Sequence, residues 1–139
     1  MNHKQIELVQ ASFTNVLPIA ETAAKLFYKR LFELDPSLRS MFHGDMKQQG
    51  KKLMDMIALV VVNLRNIERV LPGVTALGKR HAGYGVQDEH YATVGAALLW
   101  TLEHLLGDAF TDDVRDAWTA AYTVLATAMK EAAAEVAAA

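Results

Sequence analysis

Two side chains, His81 and Gln49, could together do chemistry at a metal. His81 stands in residues 77–86 (LGKRHAGYGV), near the end of a predicted helix, and Gln49 lies near the start of a long apolar helix. A histidine nitrogen is the commonest metal ligand in proteins and suits iron. A small polar side chain on a facing helix would leave the opposite coordination position open for a gas. This pairing makes a haem pocket the leading hypothesis.

Taken alone, each residue of this pattern has a simpler interpretation. A lone histidine on a helix is usually solvated, although the Leu77 carbonyl, four residues earlier, could accept the proton of the second ring nitrogen. Gln49 and Leu53 are four residues apart and share a helix face, yet glutamine at a helix start is commonly half exposed. Tyr28 and Phe42 would by default belong to the core. The specific signal is therefore the order of these residues along the chain.

Composition favours one domain of ordinary size. The chain has 139 residues, 52% of them hydrophobic, which suits a single packed core. The formal net charge of −2, without a basic block, argues against nucleic acid as a partner. The chain has no cysteine, which excludes disulfides, thiolate nucleophiles, iron–sulfur clusters and cysteine-rich zinc sites, and fits a reducing compartment.

The amino terminus and the apolar runs favour a cytoplasmic protein. Residues 1–8 carry charge where a signal peptide would be apolar. The longest apolar run, residues 57–62, is far shorter than the roughly 20 residues needed to cross a bilayer. We therefore expect no membrane partner.

Helical periodicity dominates the chain, and no strand or internal repeat is needed to account for it. The alanine-rich tail, residues 131–139, is expected to fray, which leaves a core over about 4–130. The prediction is an all-α fold of about seven helices in one domain. The predicted helices span residues 4–17, 18–34, 35–42, 46–65, about ten residues that include His81, 88–106, and 111 onward. Asp88 is predicted to cap the sixth of these helices.

The order of these residues resembles the globin family. Residues 27–32 (FYKRLF) and 35–42 (DPSLRSMF) are followed by Gln49, four residues before Leu53, and then by the histidine run 77–86. In this pattern the tyrosine, the proline, the phenylalanine, the glutamine and the histidine occupy the places that they have in globins.

The resemblance covers the chain from about residue 7 to residue 129. It is strongest to bacterial single-domain haemoglobins and to the globin domains of flavohaemoglobins, with most similarity to the Hell's Gate globin type. Residues 91–118 also resemble neuroglobin. The resemblance implies a globin fold around haem b (iron protoporphyrin IX), with dioxygen, nitric oxide or carbon monoxide as gaseous partners.

The resemblance also implies a role for each residue of the pattern. His81 is the proximal iron ligand, and Tyr28 with Gln49 forms the distal hydrogen-bonding pair. Leu53 closes the apolar side of the gas site, and Phe42 packs against the haem ring. The other residues that the resemblance places against the haem are Leu77, Val86, Val94 and Leu98.

Polar side chains at the rim of the pocket are candidates for contact with the haem propionates. Lys52, on the outward edge of the long helix, resembles a residue that pairs with a propionate. Arg80 is a second candidate. His43, in the turn after Phe42, is a third, either to a propionate or to water.

The proximal side departs from the flavohaemoglobin pattern. In that lineage a tyrosine and a glutamate support the proximal histidine and make the iron more electron-rich. Tyr91 matches the tyrosine, but the place of the glutamate, counted from Trp118, falls at Ala133. Glu131 and Glu135 lie two residues to either side, and the sequence leaves open whether one of them reaches Tyr91. Without that carboxylate, peroxidase-like or strongly redox-tuned activity is not expected.

Two functions follow from the resemblance. The first is reversible oxygen binding for storage, delivery or buffering, because donors from Tyr28 and Gln49 favour a ligand that becomes partly negative, each by about 1.5–3 kcal/mol. The alternative is a nitric oxide dioxygenase, an enzyme that converts nitric oxide to nitrate. The chain has no room for flavin and nicotinamide domains, so sustained catalysis would need an external reductase. We expect a binding protein, and a gas or redox sensor or a haem-free globin-like module are lesser alternatives.

Overall fold

The fold is taken from a computed structural model, which describes residues 1–42 and 44–138, and over these residues it contains helices and no strand. With the 3₁₀ helix at Pro36–Met41 counted as a short helix, the seven predicted helices are present and the all-α prediction is confirmed. The α-helices are α1 (His3–Val16), α2 (Ala20–Leu34), α3 (Met46–Val62), α4 (Leu71–Gly83), α5 (Asp88–Leu106) and α6 (Asp112–Ala138). The remaining 3₁₀ segments are Leu17–Ile19, Leu64–Arg69 and Gly107–Ala109.

Two predicted helix boundaries are shifted. Helix α3 ends at Val62 instead of residue 65, and the side-chain amide of Gln10 donates to the Val61 carbonyl at 3.0 Å, which ties this end of α3 to α1. Helix α5 is capped by Gln87, whose backbone N–H donates to His90 Nδ1 at 2.9 Å, so Asp88 is its first residue and not its cap. At this first position the Asp88 carboxylate still interacts favourably with the positive end of the helix dipole.

Helix α6 extends into the alanine-rich tail, for which fraying stays a prediction. Helix α6 continues to Ala138, and Ala132 is almost fully buried. Alanine and glutamate are strong helix formers, and the packing of the preceding turn on the core extends the helix. His43, for which a contact with a propionate or water is expected, lies outside the described residues.

Helix α1 is fixed to α6 by a buried hydrogen-bond chain. The indole N–H of Trp118 donates to Ser12 Oγ at 2.8 Å, and the Ser12 hydroxyl donates to the Leu8 carbonyl at 2.7 Å. The Trp118 ring also packs on Phe13, with 6.1 Å between ring centroids. Every polar atom of this buried contact therefore has a partner, which is the condition for burying it without a large cost.

The two helices that carry the candidate site residues are anchored to different neighbours. Helix α4 packs chiefly on α6, and α3 packs chiefly on α2, which in turn packs on α5. Glycines allow both contacts to be close: a Cβ at Gly78 would lie 2.7 Å from the Met129 carbonyl oxygen, and one at Gly50 would lie 2.9 Å from Ala24 Cβ. Helices α3 and α4 thus take their positions from contacts with other helices, and we call the region between them the cleft.

None of the helices in the described part of the chain has the length and apolar character needed to cross a membrane.

The close approach at Gly78 generates a stability prediction. We expect Gly78→Ala to lower the free energy of unfolding by about 1–3 kcal/mol, because the new methyl group meets backbone and not a flexible side chain. The matched control is Gly73→Ala on the same helix, where a Cβ would have nothing within 4 Å. There the better helix propensity of alanine should raise stability by about 0.5–1 kcal/mol. Urea unfolding measures both, and equal stabilities for the two variants would contradict the packing account.

Candidate functional site

The His81 ring is held in one tautomer. Its Nδ1–H donates to the Leu77 carbonyl at 2.8 Å, the hydrogen bond expected from their four-residue spacing. Because a carbonyl can only accept, Nδ1 carries the proton and Nε2 keeps its lone pair. Burial lowers the pKa of His81 below its usual value, and the neighbouring Arg80 charge acts in the same direction, against the opposing effect of the hydrogen bond. The neutral, metal-ligating form is therefore favoured.

Tyr28 and Gln49 lie together on the other side of the cleft. The Tyr28 hydroxyl, on α2, donates to the backbone carbonyl of Gln49, on α3, at 3.4 Å. This distance is at the long end for an O–H donor, so a better acceptor could displace the carbonyl. Burial raises the pKa of Tyr28 to about 12. At neutral pH the hydroxyl is therefore a proton donor.

An aromatic cluster positions Tyr28. Its ring meets Phe42 edge-on, with 5.3 Å between centroids, and stacks on Phe32 at 6.0 Å. Phe32 and Phe42 also meet edge-on at 5.5 Å. Phe32 follows Tyr28 by four residues, so helical spacing alone could have identified this missing member of the site. The cluster limits the rotation of Tyr28 and sets the direction of its hydroxyl.

The predicted lining residues share one property, which is that they are half-buried. Four of them come from α3, α4 and α5, and the other two lie outside the α-helices; each is neither sealed in the core nor open on the surface. They belong to two packed clusters, and Leu98 packs against both. A large flat apolar group such as haem fits this arrangement, since it would cover the apolar surface that these residues leave open. The half-buried lining residues are Phe42, Leu53, Leu77, Val86, Val94 and Leu98.

A small apolar cavity lies behind Leu53. It has a volume of about 20 Å³ and is also lined by Phe27, Ile57 and Leu98. Two side chains in its wall carry polar atoms, and both use them elsewhere: the Thr101 hydroxyl donates to the Ala97 carbonyl at 2.8 Å, and the Trp118 indole N–H donates to Ser12 Oγ at 2.8 Å. With no polar group facing inward, the cavity offers water no partner and suits a small apolar molecule.

The proximal tyrosine has no carboxylate partner. Tyr91 is buried, and among the described residues its hydroxyl has no hydrogen-bond partner. Glu135 instead pairs with Lys79 at 3.7 Å, and Glu131 is exposed. The ammonium group of Lys130 lies 5.8 Å from the centre of the Tyr91 ring. Burial, and to a smaller extent the nearby charge of Asp88, raises the pKa of Tyr91, so neither glutamate of the α6 tail acts on its hydroxyl.

The two rim candidates are exposed. Lys52 and Arg80 lie on the surface, and neither forms an ion pair within the part of the chain that the structure describes. A contact with a propionate stays a prediction for both. The structure adds Tyr84, which sequence reasoning missed, with its ring centroid 5.9 Å from that of His81 and 62% of its surface exposed. Its position three residues after His81, on the same helical turn, was the available signal.

Comparison with known families and curated proteins gives one consistent result. The family model described as Globin matches residues 25–129. A flavohemoprotein from Oceanobacillus iheyensis is 31% identical over 129 residues, which is 91% of this chain and 32% of that protein. A flavohemoprotein from Vibrio cholerae is 34% identical over 119 residues, or 81% of this chain and 30% of its own length. The chain thus spans about a third of the length of these relatives.

Solved structures agree with this result. A bacterial globin from Campylobacter jejuni has a TM-score of 0.88 and 26% identity, covering 99% of this chain and 100% of its own. An engineered carbene transferase, described as a putative nitric oxide dioxygenase from Rhodothermus marinus, has a TM-score of 0.91 and 26% identity, covering 99% of this chain and 96% of its own. The predicted globin fold is confirmed.

The geometry of His81 generates a prediction for haem retention. We expect His81→Ala to lose most of its bound haem during purification, because the axial bond to Nε2 is removed. The matched control is His104→Ala, which removes an exposed imidazole that stacks on Trp100. Haem content per chain, measured by the pyridine haemochrome assay, should fall only in the first variant. Unchanged content and spectra in His81→Ala would refute the assignment.

Proposed function

Because the chain belongs to the globin family, we propose that it holds haem b between α3 and α4, with His81 as the axial ligand, and binds dioxygen reversibly for storage, delivery or buffering. The observation that carries this proposal is the approach of the Tyr28 hydroxyl to Gln49 at 3.4 Å on the side of the cleft opposite α4. Ferrous haem, when bound, supplies the metal that takes up the gas. The chain supplies the axial ligand, the donors and the apolar walls.

His81 contributes a fixed, neutral imidazole. The hydrogen bond from Nδ1 to the Leu77 carbonyl directs Nε2 away from its own helix and prevents the ring from turning. A carbonyl partner leaves the imidazole neutral, whereas a carboxylate would draw the proton away and strengthen the ligand further. The neutral ligand favours the ferrous state that reversible oxygen binding requires.

Tyr28 and Gln49 contribute the selectivity for dioxygen. Dioxygen becomes partly negative when it binds, so each donor that reaches it adds about 1.5–3 kcal/mol, which is roughly 10- to 150-fold in affinity. Carbon monoxide is less polar and gains less. Since burial keeps Tyr28 protonated with a pKa of about 12, this donor is present throughout the neutral range.

The walls of the site contribute a dry path for the gas. The apolar cavity, about 20 Å³ in volume, is lined by Leu53, which follows Gln49 by four residues on α3, and by Phe27, which directly precedes Tyr28. Small apolar gases gain contacts in such a space, and water does not. A dry pocket also strengthens the hydrogen bonds that Tyr28 and Gln49 make there.

The oxygen proposal is tested by removing the donors one at a time. We expect Tyr28→Phe and Gln49→Leu each to speed oxygen release by roughly 10- to 150-fold, because each loses one hydrogen bond to the ligand. The matched control is Gln48→Leu, the same change at an exposed position one residue earlier on α3. Stopped-flow replacement of oxygen by carbon monoxide gives the rate constants. Equal release rates in the parent protein and both donor variants would defeat the proposal.

Nitric oxide dioxygenation is the second candidate. It is favoured by the similarity to a structure described as a putative nitric oxide dioxygenase and by the flavohemoprotein relatives, since Tyr28 and Gln49 would serve that reaction too. Against it stands the proximal side, where Tyr91 lacks a carboxylate partner and Ala133 occupies the expected place of the glutamate. These two features of the proximal side favour reversible oxygen binding over nitric oxide dioxygenation as the main function.

The two candidates differ in sustained turnover. With a generic flavin reductase and NADH, we expect the protein to consume nitric oxide no faster than a storage globin such as myoglobin. Ala133→Glu, which puts a carboxylate at the place that the resemblance gives to the glutamate, should lower the reduction potential of the iron, and Ala133→Gln should not. If the parent protein steadily consumes nitric oxide more than about tenfold faster than myoglobin does, nitric oxide dioxygenation and not oxygen binding is its main function.

A further inference from the structure

A groove lies between α5 and α6, away from the cleft. It has a volume of about 390 Å³, and none of the residues that line it belongs to α3 or α4. Its walls are formed by residues within 91–99 on α5 and within 119–130 on α6. Since the α5 wall covers eight residue steps, the groove is about 12 Å long. We call it the α5–α6 groove.

Small side chains leave this space unfilled. Ala92 and Ala96 on α5 and Thr123 on α6 line the groove and are exposed. The Tyr122 ring packs closely on α5 at Gly95, where a Cβ would lie 2.8 Å from the ring atom Cε2. Helices α5 and α6 are therefore in contact below the groove, and the space above that contact is bounded by short side chains.

The walls of the groove carry almost no charge. Residues 91–102 of α5 and 117–129 of α6 contain no Asp, Glu, Lys or Arg, although 22% of the chain is charged. A helix face that is exposed to water usually carries charged or strongly polar side chains. The uncharged, exposed positions along the groove thus form a surface that suits an apolar group.

Hydroxyl groups in the walls already have partners. Thr119 donates to the Arg115 carbonyl at 2.8 Å, and Thr123 donates to the Thr119 carbonyl at 2.7 Å. The Tyr122 hydroxyl donates to the Tyr91 carbonyl at 2.6 Å. Because these donors are satisfied within the protein, they do not require a polar ligand along the length of the groove.

A cation stands at one end of the groove. Lys130 is half-buried, and its ammonium group lies 5.8 Å from the centre of the Tyr91 ring. It has no ion pair in the part of the chain that the structure describes, and Glu135 pairs with Lys79 instead. Asp88 is exposed, so water screens its charge. A half-buried ammonium group without a carboxylate partner favours an anion beside it.

The same end of the groove holds a second unused donor. Tyr91 is 6% exposed, and its hydroxyl has no hydrogen-bond partner among the described residues. A buried hydroxyl without an acceptor is unfavourable. The polar groups of the groove that lack partners are therefore gathered at the Lys130 end, and the rest of its length is apolar.

From these contacts we infer that the α5–α6 groove binds a medium-chain alkyl carboxylate, with the carboxylate at Lys130 and the chain running past Ala96 toward Leu99. An ammonium–carboxylate contact is a charge-assisted hydrogen bond, and the chain covers the uncharged walls. A groove about 12 Å long holds an extended chain of about ten carbons. The inference is independent of the proposed function, because the groove lies outside the cleft and needs no haem.

A second copy of the chain fits the groove less well than a small anion. A two-fold contact brings the same surface of each copy together, and this surface contains Lys130 but no Asp or Glu. Two such faces would bury two ammonium groups without a carboxylate between them, which is costly. A small amphipathic anion supplies the missing charge, and the volume of the groove lies in the usual range of ligand sites.

The test titrates decanoate, kept below its micelle concentration, into the ¹⁵N-labelled full chain as purified, under carbon monoxide. We expect one site per chain with a Kd below about 1 mM, and shifts of amide signals concentrated in residues 91–99 and 119–130. Decyltrimethylammonium has the same chain with the opposite charge, and butyrate has the same carboxylate on a short chain. Each should bind about tenfold more weakly or less.

Two variants separate the charge from the apolar walls. Lys130→Gln removes the cation and should weaken decanoate binding about tenfold. Its matched control is Lys51→Gln, at an exposed lysine on α3 outside the groove, which should leave the Kd within about twofold. Ala96→Phe keeps Lys130 but fills the groove, and should abolish the shifts. Circular dichroism establishes that each variant is folded.

Four results would overturn the inference. They are equal binding of decanoate and decyltrimethylammonium, an unchanged Kd in Lys130→Gln, amide shifts concentrated in residues 46–83 of α3 and α4, and a dimer in sedimentation experiments that Ala96→Phe dissociates. The third result would place decanoate in the cleft, and the fourth would assign the groove to a second copy. Loss of oxygen binding alone would refute the proposed function and leave the α5–α6 groove unaffected.

Discussion

The site depends on the way in which α3 and α4 are held by different partners. Helix α4 is pressed against α6 at Gly78, and α3 against α2 at Gly50, so each takes its position from a contact outside the site. The apolar side chains between them stay half-buried because neither helix covers the other. Everything proposed for the site follows from this arrangement, since a cleft with apolar walls can hold a flat prosthetic group and keep water from its two faces.

The two faces of the cleft differ in their polar groups, and this difference sets the chemistry. On one face a backbone carbonyl fixes the His81 imidazole in its neutral form. The buried Tyr91 hydroxyl has no hydrogen-bond partner, and so no carboxylate partner, among the described residues. On the other face the Tyr28 hydroxyl approaches Gln49, next to an apolar cavity. A neutral ligand together with strong donors is suited to holding dioxygen, which becomes partly negative when it binds, without activating it further.

Much of this could be predicted from the sequence because the signals are local. Helical periodicity predicted the seven helices, and the four-residue spacing of Leu77 and His81 predicted their hydrogen bond. Contacts between distant segments could not be predicted from the sequence. Glu135 pairs with Lys79 and does not support Tyr91, and this pairing depends on how α6 lies on α4. The burial of Ala132 was out of reach for a related reason, since it is a property of packing and not of composition.

The central claim is that this cleft holds haem on His81 and leaves the side of Tyr28 and Gln49 open to dioxygen. An optical spectrum of the purified protein, taken oxidised, then reduced, then exposed to oxygen, tests it most directly. The account predicts a five-coordinate ferrous spectrum that converts to a long-lived complex with dioxygen. A preparation that takes up no haem, or a ferrous spectrum that is six-coordinate before any gas is added, would contradict it.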